Sequence, residues 1–347
     1  MDHSSIKRSA VLMVLVVIAV LAATEMYLRS TGITPAYNED AALWSNVRAK
    51  VYEPADKNVV FIGSSRIKYD LDIPTWQKLT GKRAVQLAMT GSNPRPVLED
   101  LANDSNFKGN LVIDVTDPLF FSGAPMFDSK PMEYLHHYYD RTLAQRANFH
   151  INHALESQLV ILDKDNYSIN AALKALKVPN RPMVFEFPIF PVGFERTKFD
   201  EQAYMSPQFV ADTNDHRQMI NVWKYLSGGP KPPPMPDSVL MQLCGSVKTM
   251  TDKIKARGGK IFFVRTPSSG DMGFGESMGF PKERFWANLL KVTGCEGFHF
   301  TENPLTAQMI CPENSHLKPT DAVIFTQELV KGLQGNPILQ TSTTSTN

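Results

Sequence analysis

The sequence predicts an α/β fold in which helices cover a parallel sheet. Short apolar runs alternate with segments of helical periodicity up to residue 115 and again after residue 237. Apolar runs of four to six residues are typical of buried strands, and their alternation with helices favours parallel pairing. With 347 residues, 43% of them hydrophobic, the chain can bury a large core.

Residues 1–29 predict a membrane anchor or a signal segment. Lys7 and Arg8 precede an uninterrupted apolar stretch over residues 10–23. Counted on to Leu28, its length is near the ~20 residues that a spanning helix needs. The basic pair places the N-terminus in the cytoplasm and the bulk of a single-pass protein outside it.

The alternative for this segment is a signal peptide that is cleaved at the small-residue site Val20-Leu21-Ala22. Both interpretations export residues 30–347 to the periplasm or another extracytoplasmic space. Export permits disulfides, and the spacing favours Cys295 with Cys311, although three unpaired cysteines remain an open alternative.

We predict one α/β domain over residues 30–334, which begins with a polar and aromatic lead-in at 30–55. The first three strands are predicted at 59–62, 84–89 and 110–115. Helices are predicted between them at 74–79, ended by Gly81, and at 95–102.

Residues 118–235 predict an inserted helical and loop region. Residues 132–176 are expected to be helical, with Leu155, Leu159 and Leu162 on one face. Residues 183–194 suggest a short strand pair or a lining loop. The proline-rich run at 228–234 predicts a stiff, extended connector.

The strand and helix pattern returns after the connector. Asp237 is expected to cap a helix that ends near Arg257, and Gly258-Gly259 stops it. The later elements are predicted as a strand at 260–264, a loop at 265–270, a helix at 285–292, a strand at 297–300, a helix at 319–333 and a disordered tail at 335–347.

Two short motifs carry the chemistry. Gly63-Ser64-Ser65-Arg66 follows the first strand, where α/β enzymes place a nucleophilic hydroxyl. About 250 residues later, Glu313 stands three residues before His316. A neutral imidazole can deprotonate a serine as it attacks, and a carboxylate on the other ring nitrogen fixes the tautomer. The alternatives without catalysis are that Ser65 only stabilises a tight turn, that His316 is a helix-capping or structural histidine, and that Glu313 is a solvated charge.

The order of these motifs resembles the SGNH or GDSL-type hydrolase superfamily, with a Gly-x-Ser turn and a late Asp-x-x-His motif before the last helix. The run from Ser315-His316-Leu317 to Ala322–Thr326 is similar to the membrane-anchored branch of D-alanyl-teichoic acid transfer and alginate-acetylation proteins. The resemblance implies a three-layer flavodoxin-like sandwich, with Ser65 as nucleophile, His316 as base and Glu313 as orienter. Glu313 is one methylene longer than the family's aspartate.

The resemblance also implies an oxyanion hole. The N–H of Ser65 and that of Gly91, after strand two, would be its donors, and the Asn93 side chain would add another. The alternative is that residues 90–94 form only a turn. The family's third motif, Gly-x-Asn-Asp, is missing, because residues 114–118 contain no asparagine.

Other charged residues and histidines are weaker candidates. Arg66 would bind a substrate anion or stabilise the turn through Asp70 or Asp117, and Arg265 at a strand end is a second binding candidate. His150 and His153 have helical spacing but no carboxylate or cysteine cluster beside them, so no metal site is predicted.

The predicted function is serine-dependent O-acyl transfer or ester hydrolysis on an envelope glycan or glycolipid, through an acyl-enzyme and without a cofactor. By resemblance, a membrane-bound O-acyltransferase would be a partner. A formal net charge of +1, without a basic and aromatic block, speaks against nucleic acid. The main alternative is a degenerate SGNH-like envelope protein that binds glycan or docks an acyltransferase; an exported metallo-hydrolase is a third class.

Overall fold

The computed structural model describes residues 3–37, 39–176, 183, 189–229 and 233–340. The chain divides into two compact units. The first unit comprises residues 1–38, 142–185 and 197–199. The second unit comprises residues 39–141, 186–196 and 200–347.

Seven strands and sixteen α-helices lie in the described parts of the chain. The strands are β1 (Asn58–Ile62), β2 (Arg83–Gln86), β3 (Leu111–Asp114), β4 (Arg196–Thr197), β5 (Ala203–Tyr204), β6 (Ile261–Arg265) and β7 (Glu296–His299). The helices are α1 (His3–Ser30), α2 (Ala41–Arg48), α3 (Ser65–Asp70), α4 (Ile73–Thr80), α5 (Arg95–Asn103), α6 (Asp117–Phe120), α7 (Ser129–Asp140), α8 (Leu143–Glu156), α9 (Lys164–Tyr167), α10 (Ile169–Ala175), α11 (Pro207–Ala211), α12 (Thr213–Ser227), α13 (Asp237–Ala256), α14 (Gly270–Gly279), α15 (Trp286–Thr293) and α16 (Pro319–Gly332).

Five strands of the second unit form one sheet in the order β2-β1-β3-β6-β7. Every neighbouring pair in it is parallel. The predicted α/β class with a parallel sheet is therefore confirmed. Each of the five strands predicted outside residues 118–235 is present, with its ends displaced by up to three residues.

Both faces of this sheet are buried. Val60 and Ile62 of β1 belong to one apolar cluster, which also takes in residues of α5, α13 and α15. Val59 and Phe61 belong to a second cluster with residues of α3, α4 and α16. Because side chains alternate along a strand, a strand that is apolar throughout fits only between two packed layers.

Several local expectations are wrong. Helix α13 begins at Asp237 itself and Pro236 takes the capping position, so Asp237 is not the cap. Helix α8 ends at Glu156, so Leu159 and Leu162 do not continue its face. Helices α2, α3, α6, α11, α12 and α14 have no individual prediction; α3 has only six residues and α14 contains four glycines.

Parts of three predicted segments lie outside the described residues, namely 184–188, 230–232 and 341–347. Within the segment that the sequence assigns to the tail, the structure buries Ile338 in the core. The pairing of Cys295 with Cys311 is not formed. Cys295 packs on one face of the sheet and Cys311 lies in the cluster on the other face, so the two sulfurs cannot meet.

Among the described residues, one helix is long and apolar enough to cross a membrane, at Ser5–Ser30 within α1. Its apolar side chains, such as Leu12 and Val16, are exposed. This fits the predicted N-terminal segment as either an anchor or a signal segment.

Candidate active site

The predicted nucleophile stands in the turn between β1 and α3. Ser65 is the first residue of α3, so its N–H has no acceptor within the helix. Gly63 makes the turn possible, because a Cβ there would lie 2.5 Å from Ile67 Cγ2 and 2.6 Å from Asp114 Cβ. The absence of a side chain lets α3 begin directly against β3 and brings Ser65 to the carboxyl edge of the sheet.

We expect Gly63→Ala to destabilise the fold by about 1–3 kcal/mol, the usual cost of overpacking. Gly245→Ala is the matched control, because a Cβ at this position of α13 meets no atom within 4 Å and alanine favours the helix. Denaturant unfolding measures both changes. Equal stability of Gly63→Ala and the wild type would contradict the packing argument.

Ser65, His316 and Glu313 form one hydrogen-bonded chain. His316 Nε2 lies 2.8 Å from Ser65 Oγ, and His316 Nδ1 lies 3.0 Å from Glu313 Oε1. His316 and Glu313 are buried, whereas Ser65 is partly exposed. The Ser65 hydroxyl is thus accessible from outside, while the imidazole of His316 and the carboxylate of Glu313 are shielded from water.

The additional methylene of Glu313 does not prevent contact with the imidazole. Its Oε1 also accepts the backbone N–H groups of Ser315, at 3.2 Å, and His316, at 2.6 Å. The carboxylate therefore folds back over its own turn. Asn314, inside this turn, has a φ of 78°, a left-handed conformation that asparagine tolerates better than most residues.

The second oxygen of Glu313 is held by a residue that the sequence analysis missed. Trp223 of α12 donates its indole N–H to Glu313 Oε2. Its ring also lies 6.0 Å from that of His316. A single tryptophan in a region without a recognised motif gives no signal of this role, since only the fold brings α12 to the histidine turn.

We expect Trp223→Phe to lower kcat about tenfold to a hundredfold, because hydrogen bonds to charged groups contribute about 1.5–3 kcal/mol. KM should hardly change, since the indole contacts the orienter and not the substrate. Steady-state ester hydrolysis measures both constants. Leu226→Ala, half exposed on the same helix, is the control. An unchanged kcat in a folded Trp223→Phe variant would contradict the role of Trp223 in positioning Glu313.

Two further aromatic rings cover the imidazole. The centroid of Tyr69 lies 4.5 Å from that of His316, and the centroid of Phe194 lies 5.7 Å from it. Burial, together with the charges of Glu195 and Glu313, raises the pKa of Tyr69, so its phenol stays neutral. The histidine therefore works in a largely apolar enclosure in which hydrogen bonds and charges act strongly.

The loop after β2 carries the candidate oxyanion donors. Met89 donates its N–H to the Gly63 carbonyl, which places this loop beside the nucleophile turn. Gly91 has a φ of 64° and lies two residues further on. Asn93 is buried, and its amide donates to Asp128 while its oxygen accepts from Arg95. The Asn93 side chain is thus engaged by Asp128 and Arg95, which leaves the Gly91 and Ser65 N–H groups as candidate donors.

A buried ionic cluster ties this loop to the nucleophile helix. Lys68 of α3 pairs with Glu201 at 2.5 Å and with Glu39 at 3.3 Å. Glu39 in turn accepts the hydroxyl of Thr90, next to Gly91. Burial raises the pKa of Glu39, but the charges of Lys68 and Lys130 outweigh it and lower the pKa to about 2. The charged carboxylate therefore fixes the distance between the loop and α3.

Both arginines that the sequence offers as binding residues are buried, at 2% exposed. Arg66 and Arg265 each pair with Glu276 of α14, and Arg265 pairs with Asp117 as well. Neither guanidinium faces an open site. Arg66 therefore stabilises the turn, as one of its two predicted roles has it, but its partner is Glu276 rather than Asp70 or Asp117. Arg265 is likewise held by carboxylates, and this arrangement does not fit its predicted role in binding substrate.

The carboxylates at the end of β3 are bound by neighbouring side chains. Asp114 accepts hydrogen bonds from the hydroxyls of Thr116 and Thr266, and Asp117 is bound to Arg265. Burial raises the pKa values of both Asp114 and Asp117. No group of three or more metal-ligating side chains is found in the described ranges.

Neither a scan against protein-family models nor a search of curated proteins finds a match for this chain.

Proposed function

We propose that the protein catalyses serine-dependent O-acyl transfer or ester hydrolysis on a cell-envelope glycan or glycolipid. The observation that carries this proposal is the hydrogen-bonded chain from Ser65 through His316 to Glu313. Its partly exposed hydroxyl, shielded base and doubly held carboxylate are the parts that acyl transfer through a covalent intermediate needs.

In the proposed reaction, Ser65 Oγ attacks the carbonyl carbon of an ester while His316 Nε2 takes its proton. The N–H groups of Ser65 and Gly91 stabilise the oxyanion, and Glu313 stabilises the imidazolium. His316 then protonates the departing alcohol, which leaves an acyl-enzyme. An acceptor hydroxyl or water, deprotonated by His316, attacks the acyl group and restores Ser65.

The sheet supports assignment to a flavodoxin-like sandwich of the SGNH type. Counting only its own strands, the order β2-β1-β3-β6-β7 is 2-1-3-4-5, the doubly wound order of flavodoxin-like folds. The nucleophile follows β1, at the carboxyl end of the sheet, where such folds bind ligands.

We also propose that α1 is retained as a single-pass anchor. The basic pair before it favours a cytoplasmic N-terminus and an extracytoplasmic second unit. An anchored transferase would act beside a membrane-bound O-acyltransferase that supplies the acyl group. The apolar cover of His316 supports transfer over hydrolysis, because it limits the access of water to the base.

A non-enzymatic envelope protein that binds glycan or docks an acyltransferase is the second candidate. It is favoured by the missing asparagine after β3 and by the engagement of the Asn93 side chain with Asp128. Such a protein needs no reactive serine.

A fluorophosphonate probe separates the two functions. We expect the full-length protein to be labelled with time and the adduct to map by mass spectrometry to Ser65, with release of acetate from p-nitrophenyl acetate. A folded protein that takes up no probe and releases no acetate would leave the binding or docking function as the explanation.

A further inference from the structure

Two helices of the first unit expose large apolar side chains. In α8, Leu143 is 82% exposed and Ile151 is 63% exposed, with Leu155 on the same side of the helix. In α10, Ile169 is 80% exposed and Leu173, one turn later, is 58% exposed. We call these five residues the apolar face. Side chains of this size rarely gather on a surface that meets only water.

The same unit contains α1, and the end of α1 is bonded to the corner that follows α8. The carboxylate of Glu25 accepts the N–H groups of Val160, at 2.9 Å, and Ile161, at 3.0 Å. Arg29 donates to the carbonyl of Gln158 and pairs with Glu25 at 2.8 Å. Three hydrogen bonds therefore fix the corner between α8 and α9 to the last two turns of α1, and the Arg29–Glu25 pair within α1 holds the two side chains that make them.

These contacts define the depth of the corner if α1 crosses a membrane. The uninterrupted apolar stretch of α1 ends at Ala23, and a bilayer core of about 30 Å takes about 20 residues of helix. Glu25 and Arg29 then lie at the level of the lipid headgroups, where charged side chains are tolerated. The corner bonded to them must lie at the same level, and so must the C-terminal end of α8, which stops at Glu156 just before it.

We infer that the apolar face is a membrane-surface contact, which inserts into the boundary between headgroups and acyl chains beside α1. This inference rests on the proposed anchoring of α1 and not on the acyl-transfer chemistry. Residues 142–176 contain three basic and three acidic residues, so anionic lipid has no net charge to attract. The ligand is therefore the apolar part of the lipid, and binding should not depend on salt or on lipid charge.

The test uses the full-length chain in phosphatidylcholine vesicles whose acyl chains carry bromine near the headgroup. Added tryptophans report contact with bromine by a loss of emission relative to wild type. We expect this loss for Ile151→Trp and Ile169→Trp, at low and high salt alike. Leu79→Trp, at an exposed apolar position of the second unit, is the control and should keep its emission.

Two further variants separate the possible failures. Leu15→Trp reports whether α1 is embedded; if it is quenched and Ile151→Trp is not, the inference is overturned while the anchor stands. If neither is quenched, both are overturned. Changing Leu143, Ile169 and Leu173 to glutamine should abolish the quenching of the tryptophan in Ile151→Trp. This loss would show that the native apolar face, and not the added indole, makes the contact with lipid. Quenching that requires anionic lipid, or that is lost at high salt, would also overturn the inferred contact with the apolar part of the lipid.

Discussion

Replacing Ser65 with alanine is expected to lower kcat for ester cleavage by roughly 10⁴-fold or more and to abolish labelling by a fluorophosphonate. The variant keeps the turn, the helix and the imidazole but has no atom that can form the acyl-enzyme. Because Ser65 is partly exposed and its hydroxyl contacts only His316 among the described residues, the fold should be unaffected.

The neighbouring serine gives a matched control. Ser64 is fully buried, and its hydroxyl has no hydrogen-bond partner within the described part of the chain. Ser64→Ala should therefore keep activity and labelling, with unchanged or slightly higher stability. If Ser64→Ala lost activity while Ser65→Ala retained it, the nucleophile would be misassigned by one position.

His316→Ala should reproduce the loss seen in Ser65→Ala, and the double variant should be no worse than either single variant. Residues that act as one unit are strongly non-additive, because removing either partner already disables the step. Additive losses in the double variant would show that the two residues contribute independently, which the 2.8 Å contact between them does not support.

Much of this fold is predictable from local pattern. The strands β1, β3 and β6 are short, mainly apolar runs that can be recognised in the sequence because every one of their residues is buried. Helix α4 is readable as well, since Pro74 opens it and Gly81, with a φ of 67°, ends it. Two of the helices that were not predicted lack such signals, because α3 has only six residues and α14 contains four glycines, which lower helix propensity.

The proximity of Ser65, His316 and Glu313 is predictable because each belongs to a short motif beside a helix or strand that the sequence pattern identifies. Trp223 and Glu276 are not, because their roles depend on contacts across 90 and 210 residues of chain. The same dependence on distant contacts explains why Arg66 and Arg265 were predicted as binding residues. A guanidinium at a strand end looks like an anion site in the sequence, and only the fold shows the carboxylate that already occupies it.

The largest effect on stability is expected for Glu276→Gln. Glu276 accepts hydrogen bonds from Arg66 at 2.9 Å, from Arg265 at 2.6 Å and from Ser268 at 2.7 Å. The variant leaves Arg66 buried without a carboxylate, and breaking a buried pair in this way costs about 3–5 kcal/mol. Arg66 also donates to Ser315 beside His316, the proposed base, so activity should fall together with stability.

The pH dependence identifies the cause of this loss. Burial would raise the pKa of Glu276, but the charges of Arg66 and Arg265 outweigh it and lower the pKa to about 2, from an ordinary value of 4.5. A lowered pKa contributes stability that is fully present above pH 4.5 and is lost as the pH falls towards 2. The stability difference between wild type and Glu276→Gln should therefore narrow over that range in denaturant unfolding.

Glu302→Gln is the control for this experiment, since Glu302 pairs with Lys282 at 2.6 Å but both side chains are substantially exposed. Screening by solvent limits such a pair to about 1 kcal/mol or less. A loss of similar size in both variants would mean that burial does not strengthen the Glu276 pairs. The difference in free energy of unfolding between wild type and Glu276→Gln could also stay constant from pH 5 to pH 2.5. That result would mean that the charge of the Glu276 carboxylate does not stabilise the packing of α14 against the turn that carries Ser65.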